Sequence, residues 1–176
     1  MSTAYGFLGM MNRQNNVTLY SDSTKIAGEI IKYIKTHHTV TNVDLSNGRK
    51  SDQFIKINGK PFYIRSSGAE EPGRIRWTIE DFIVTDGEKL KKDGCNIILA
   101  KKSESDSSKI CIFAVPVSDV LDCIKGKKLP SGPREGGGRY YHIMDHHIND
   151  IIKPCRWEDK IDMKNGSLAI LDDIFK

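Results

Sequence analysis

The amino-acid sequence predicts a mixed α/β fold in which a central β-sheet, mostly antiparallel or mixed, is flanked by helices. Three observations predict it: an apolar stripe at helical spacing, several short alternating runs after it, and two nearly continuous apolar runs in mid-chain. A chain of 176 residues, 38% hydrophobic and 28% charged, can bury one core and differs in composition from disordered, fibrous and membrane proteins. We expect a single domain over residues 1–176.

The first predicted element is an amphipathic helix from about Thr24 to Thr36. Ser23 is a favourable N-cap, because its side chain can accept a hydrogen bond from the first helical turn. The apolar positions after it recur every three or four residues, which predicts a stripe that faces a sheet. They are Ile26, Ala27, Ile30, Ile31 and Ile34.

Short alternating runs over residues 40–45, 54–57 and 62–64 predict strands. Asn58-Gly59 separates the second run from the third, and a type I′ turn needs positive φ at both central positions, which this pair tolerates. The sequence therefore predicts a tight β-hairpin with a fixed register.

Further elements follow in the second half of the chain. Residues 74–79 alternate basic and apolar side chains, which predicts a strand with one charged face, and residues 86–92 predict a helical turn. The runs 96–100 and 109–115 predict central strands buried on both faces. Pro116 ends the second of these, Ser118 is expected to cap a helix from Asp119 to Ile124, and Gly126 ends that helix.

The last third of the chain predicts less regular structure. Residues 125–138 combine basic residues with Gly and Pro, which indicates a mobile basic loop. Residues 139–143 predict a strand and residues 167–174 a closing helix. No internal repeat or domain boundary is evident.

Net charge and cysteine usage limit which partners, metal sites and disulfides the sequence predicts. With 27 Lys+Arg against 23 Asp+Glu, the formal charge of +4 is too small to identify a partner, so the placement of the basic residues matters more. The four cysteines form no C-x-x-C pair, which favours reduced thiols over a zinc site or a disulfide scaffold. The apolar residues near the N-terminus are too few to span a membrane and follow no basic residue, so we expect a cytoplasmic protein.

The predicted hairpin carries a recognisable pattern. Asp52 precedes its first strand, Tyr63-Ile64-Arg65 and Ser66-Ser67 lie on its second, and Gly73-Arg74 and the buried strand pair follow. This order resembles the core of the PD-(D/E)XK nuclease superfamily, which includes many restriction endonucleases, over about Thr24 to Ile124. The resemblance implies a restriction-endonuclease-like core.

The resemblance also implies a site for phosphodiester hydrolysis. In the superfamily, one acid and an acid-x-lysine triplet hold Mg²⁺, which stabilises the charge developing on the phosphate. Here Asp52 stands for the first acid, while Tyr63 and Arg65 occupy the triplet's acid and lysine positions. Glu70, or Glu71, can replace the missing carboxylate, so the implied catalytic set is Asp52, Tyr63, Arg65 and Glu70, with Mg²⁺ on Asp52 and Glu70. Otherwise the fold has lost its chemistry and kept a surface that faces DNA.

Purely structural roles explain the same hairpin residues. Asp52 is then a turn residue at a strand end, Tyr63 a half-buried sheet residue and Arg65 an exposed cation. A second cluster, His142, Asp145, His146 and His147, contains groups that ligate transition metals or act as a general base, although its spacing matches no known motif. The alternative is a set of solvated side chains at a strand end.

Basic residues gather at a few places; if they converge they form a DNA-binding face, since guanidinium and ammonium groups bind phosphates and arginine suits guanine edges, and the alternative is a scattered set of solvated side chains. Trp77, Tyr140 and Tyr141 are candidates for base stacking, or else core residues. The resemblance implies double-stranded DNA as partner and a homodimer; the alternative is a catalytically inert module that binds another protein. The candidate DNA-binding residues are Arg74, Arg76, Lys101, Lys102, Lys127, Lys128, Arg134 and Arg139.

Overall fold

A computed structural model describes residues 25–48, 50–69, 73–103, 109–150, 152, 155–162 and 170–176. The helices are α1 (residues 25–37), α2 (Phe82–Thr85), α3 (Gly87–Lys92), α4 (Val117–Lys125), α5 (Asp145–Asp150) and α6 (Ile170–Ile174). The strands are β1 (Val40–Asn42), β2 (Phe54–Ile57), β3 (Lys60–Ser67), β4 (Arg76–Glu80), β5 (Asn96–Lys102), β6 (Lys109–Pro116), β7 (Ser131–Pro133), β8 (Arg139–Met144) and β9 (Cys155–Asp162).

The larger sheet is mixed and has the strand order β1-β2-β3-β5-β6-β9. Among the described strands of this sheet, β3 and β5 pair in parallel and the other neighbours are antiparallel. The turn between β2 and β3 has φ of 51° at Asn58 and 86° at Gly59, and Ile57 pairs with Lys60 across it. The predicted hairpin and its two positive φ angles are confirmed.

The larger sheet is buried on both faces along β2, β3, β5 and β6. Alternate residues of its strands pack on one side against α1 and α6, through side chains such as Ile30 and Phe175. The intervening residues of the same strands point to the other face, where they pack against helices α2 to α5 and a second sheet. Because β5 and β6 are the central strands between these layers, their apolar runs are nearly continuous, as predicted.

The second sheet contains three antiparallel strands in the order β4-β8-β7. Its inner face contributes Trp77, Ile79 and Ile143, all fully buried, to the core. Trp77 Nε1 donates a hydrogen bond to the carbonyl oxygen of Ala100 on β5 at 2.9 Å, which links the two sheets. The predicted mixed α/β class, with a central sheet flanked by helices, is confirmed, but a second sheet was not among the predicted elements; it forms because β4 pairs with β8 instead of extending the larger sheet. Trp77 is a core residue and offers no face to a base.

Several boundaries differ from the sequence predictions. The predicted strand 40–45 is regular only over Val40–Asn42, after which Val43 and Leu45 enter the core from a non-strand segment. Ser118 lies inside α4 and does not cap it: the N-cap is Pro116, whose φ of −58° and ψ of 136° end β6 and start the helix. Gly126 is the C-cap, as predicted.

The segment predicted as a basic loop contains strand β7, because its backbone pairs with β8 through Gly132 and Tyr140. Strand β9 had no counterpart among the predicted elements. Helix α6 covers only the last part of the predicted closing helix; residues 163–169 lie outside the described part of the chain, as does residue 24 at the start of α1. No helix within the described residues has the length and apolarity needed to cross a membrane.

Candidate functional site

The β2–β3 hairpin places Tyr63 in the core. Its side chain is 1% exposed and makes edge-on contacts with Phe54 and Phe82, at ring-centroid distances of 5.8 and 5.1 Å. Burial raises the pKa of Tyr63 to about 12, although nearby Arg65 opposes the effect. Its hydroxyl has no hydrogen-bond partner among the described residues. Tyr63 is therefore a neutral phenol at physiological pH.

Arg65 lies two residues further along β3 and points to the same face of the sheet. Its Nη1 donates a hydrogen bond to Gln53 Oε1 at 2.6 Å, and its Cζ lies 5.4 Å from the centroid of the Tyr63 ring. Gln53, not Asp52, therefore meets Arg65. Asp52 is exposed in the turn before β2, and Glu70 lies outside the described residues.

Tyr63 and Arg65, at the acid and lysine positions of the implied triplet, offer no ligand of the kind that Mg²⁺ prefers. Magnesium prefers carboxylate and water oxygens, whereas Tyr63 offers a buried neutral hydroxyl and Arg65 a permanent positive charge. Within the part of the chain that the structure describes, no group of three or more His, Cys, Asp or Glu side chains is placed to hold a metal ion. The structure thus brings Tyr63 and Arg65 together as a packing and hydrogen-bonding unit.

The histidine cluster is divided among different roles. Asp145 accepts an ion-paired hydrogen bond from the buried Lys101 at 2.8 Å. The buried His147 accepts a hydrogen bond at Nδ1 from the backbone N–H of Met144 at 2.8 Å, and burial lowers its pKa. His146 is exposed, with its ring centroid 4.2 Å from that of His147. These contacts hold α5 to β8 and β5. Of the four residues of this cluster, His142 alone lies on the second sheet and faces outward from it.

The outer face of the second sheet carries an open cleft of about 390 Å³. Because paired residues of adjacent strands share a face, Thr78 lies beside His142, and Glu80 lies beside Tyr140. The turn after β7 closes one side. We call this cleft on the outer face of the second sheet the sheet cleft. It is lined by Arg76, Thr78, Pro133, Arg134, Glu135, Tyr140 and His142.

Two rings form the centre of the sheet cleft. Tyr140 and His142 have ring centroids 4.8 Å apart, and both side chains are partly exposed. The Tyr140 phenol lies over Gly132 on β7, close enough that a Cβ there would be 2.4 Å from the hydroxyl oxygen. A side chain at position 132 would therefore displace the ring, and glycine allows the close approach.

Hydrogen bonding and charge organise the two ends of the sheet cleft. His142 Nδ1 lies 3.2 Å from Thr78 Oγ1, and burial together with the positive charge of Arg76 lowers the pKa of His142. At the other end, Arg134 forms an ion pair with Glu80. The exposed Arg76 has no carboxylate within ion-pair distance among the described residues, so its charge is available to a ligand.

The predicted DNA-binding residues are dispersed. Arg76 and Arg134 line the sheet cleft. Arg139 lies at the edge of β8, where its Nη2 donates to Ser131 Oγ at 3.1 Å, on the side of the strand opposite to Tyr140. Lys101 is 5% exposed and paired with Asp145, so it adds no surface charge.

The other predicted cations lie apart from the sheet cleft's lining. Lys102 is half-buried at the end of β5, Arg74 is exposed in the turn before β4, and Lys127 and Lys128 are exposed after α4. Thr78 and Glu135 were not predicted as site residues. The alternation of β4 contained a signal for Thr78, since it lies between the apolar Trp77 and Ile79 and must face the other way.

Comparison with known proteins gives no relative: no family model, no curated protein and no solved structure matches the chain.

Proposed function

We propose that this chain is a DNA-interacting protein with a restriction-endonuclease-like core, and that it binds DNA through the sheet cleft instead of cleaving it at the β2–β3 hairpin. The core of the proposal is the resemblance of the hairpin and the following elements to that superfamily. A mixed sheet covered by α1 on one side is compatible with such a core.

The observation that carries DNA binding is the lining of the sheet cleft. It combines an arginine without a described carboxylate partner, Arg76, with a second arginine and two partly exposed rings. A guanidinium group donates two parallel hydrogen bonds to a phosphate, and rings stack on bases.

The chemistry of the hairpin supports binding without metal-dependent cleavage. Arg65 cannot release its proton at physiological pH, and Tyr63 is buried and neutral. Incubation of plasmid DNA with Mg²⁺ is therefore expected to leave it intact. Nicking that requires Mg²⁺ and disappears in Asp52→Ala would refute this half of the proposal and restore a metal-dependent site. Nicking that persists in chelator would refute it in favour of a metal-independent enzyme.

The binding test is a salt titration of a fluorescent DNA duplex, measured by anisotropy. We expect affinity that falls steeply with salt, and Arg76→Gln should weaken binding at every sequence and lower the salt slope by about 1. Lys35→Gln is the matched control, because it removes an exposed charge on α1, across the larger sheet from the sheet cleft.

Two results would overturn DNA binding. One is absence of any DNA retention at low salt, which would favour a protein-interaction module on the same fold. The other is an equal loss of affinity in Lys35→Gln and Arg76→Gln, which would show that charge anywhere on the surface suffices. Sedimentation equilibrium with and without DNA tests the homodimer that the resemblance implies.

A further inference from the structure

We infer that the sheet cleft receives an unpaired nucleotide, so that single-stranded DNA and not the intact duplex is its preferred ligand, with the base on the Tyr140–His142 rings and a phosphate on Arg76. The inference rests on the proposed function and specifies its ligand. It is carried by the juxtaposition, on one sheet face, of two rings and a guanidinium group that has no carboxylate partner among the described residues.

The rings lie where a base can stack. They are neighbours on alternate positions of β8, with centroids 4.8 Å apart, and both face out from the sheet. Bases in a duplex are stacked on one another and show only their edges in the grooves, so rings on a sheet surface are useful to bases that have left the stack. Stacking on aromatic side chains is tolerant of base identity.

The positive charge of Arg76 lies at the His142 end of the two rings. Arg76 lies across from Met144, two pairs along from Thr78 and His142 and on the same face, so it is about 7 Å from that pair along the strand. The Thr78 hydroxyl is the nearest neutral hydrogen-bonding group to Arg76 on the outer face of β4. A phosphate bound by Arg76 is thus adjacent to a base held by the rings.

The other end of the sheet cleft limits what enters. The Glu80–Arg134 ion pair and Glu135 border Tyr140, which places carboxylates where a second phosphate would be repelled. The volume of about 390 Å³ is in the range of small-ligand sites. The site is therefore scaled to one nucleotide with its phosphate directed toward Arg76.

The test compares three probes on the whole chain: a short single strand containing 2-aminopurine, the same sequence as a duplex, and an abasic strand of equal length. We expect the single strand to bind more tightly than the duplex and its 2-aminopurine fluorescence to be quenched. The abasic strand keeps every phosphate, so its affinity should fall about 5- to 150-fold, the value of one stacked base.

Two protein variants complete the design. Tyr140→Leu fills a similar volume beside Gly132 without a ring, and we expect it to lose about as much affinity for the single strand as the abasic probe does. Tyr140→Phe keeps the ring and should keep both affinity and quenching. The abasic comparison needs no variant, so it decides the matter if Tyr140→Leu does not fold.

The outcomes separate this inference from the proposed function. Equal affinity for the single strand, the duplex and the abasic strand, without quenching, would overturn the nucleotide site and leave DNA binding standing. Failure of all three probes to bind at low salt would overturn the proposed function, and the inference with it.

Discussion

Substitution of Gly132 by alanine is expected to destabilise the fold and disrupt the sheet cleft together. A Cβ at position 132 would lie 2.4 Å from the Tyr140 hydroxyl oxygen and 2.6 Å from its Cζ. Carbon atoms pack best at about 3.5–4.0 Å, so the tyrosine ring would have to withdraw by about 1 Å. Overpacking of this kind costs about 1–3 kcal/mol.

The backbone itself does not oppose the change. Gly132 is not among the glycines with positive φ, and alanine is favoured over glycine inside a strand by about 0.5–1 kcal/mol. The expected net loss in the free energy of unfolding is therefore between about 0 and 2.5 kcal/mol. Urea unfolding measures it.

Two controls isolate the steric contact. Gly28→Ala in α1 has no atom within 4 Å of the new Cβ and should stabilise by about 1 kcal/mol. In a Tyr140→Ala background, adding Gly132→Ala should stabilise by about 0.5–1 kcal/mol, because the ring is gone and only the backbone preference remains; the difference between backgrounds is the coupling energy. If Gly132→Ala has the same effect in both backgrounds, or stabilises the otherwise unchanged chain as Gly28→Ala does, the reasoning fails.

Three further predictions concern buried polar groups. Tyr63→Phe removes a hydroxyl without a described partner, so unfolding free energy should stay constant or rise by up to about 1 kcal/mol; a clear loss would reveal a bond to that hydroxyl. Asp145→Asn removes the negative charge 2.8 Å from the buried Lys101 ammonium and should cost about 2–3 kcal/mol by urea unfolding, whereas Asp173→Asn at an exposed pair should cost almost nothing; equal losses would contradict this. Burial and nearby His146 lower the pKa of His147, so its stabilising contribution should be complete above pH 6.5 and lost as pH falls through the lowered value. His147→Asn, which keeps an acceptor for the Met144 N–H, should flatten unfolding free energy against pH, and an unchanged curve would refute the assignment.

The elements that could be predicted from sequence are those with local signals. The isoleucine spacing of α1 depends on residues a few positions apart, and Asn58-Gly59 determines its own turn. The runs of β5 and β6 indicated burial on both faces because residues 97–100 and 110–115 are all apolar. These features do not require knowledge of which segments meet.

The features that could not be predicted depend on distant partners. No local pattern indicates that β4 pairs with β8. Neither the second sheet nor the pairing of Thr78 with His142 could therefore be predicted from the sequence. Lys101 looked like a surface cation, yet Asp145, 44 residues further along, neutralises it inside the fold. The sequence showed that Arg76 and Arg134 were basic, and only the pairing showed that they share a cleft.

The pairing of β4 with β8 has a consequence for folding. Thr78 and His142 are 64 residues apart, and the chain between them includes β5, β6 and α4. Closing so long a loop costs entropy before any contact repays it, so contacts of this kind tend to form late and slowly. We therefore expect the β2–β3 hairpin to form early and the sheet cleft to be assembled last. A nascent chain released before residue 139 would have a compact hairpin and no binding surface.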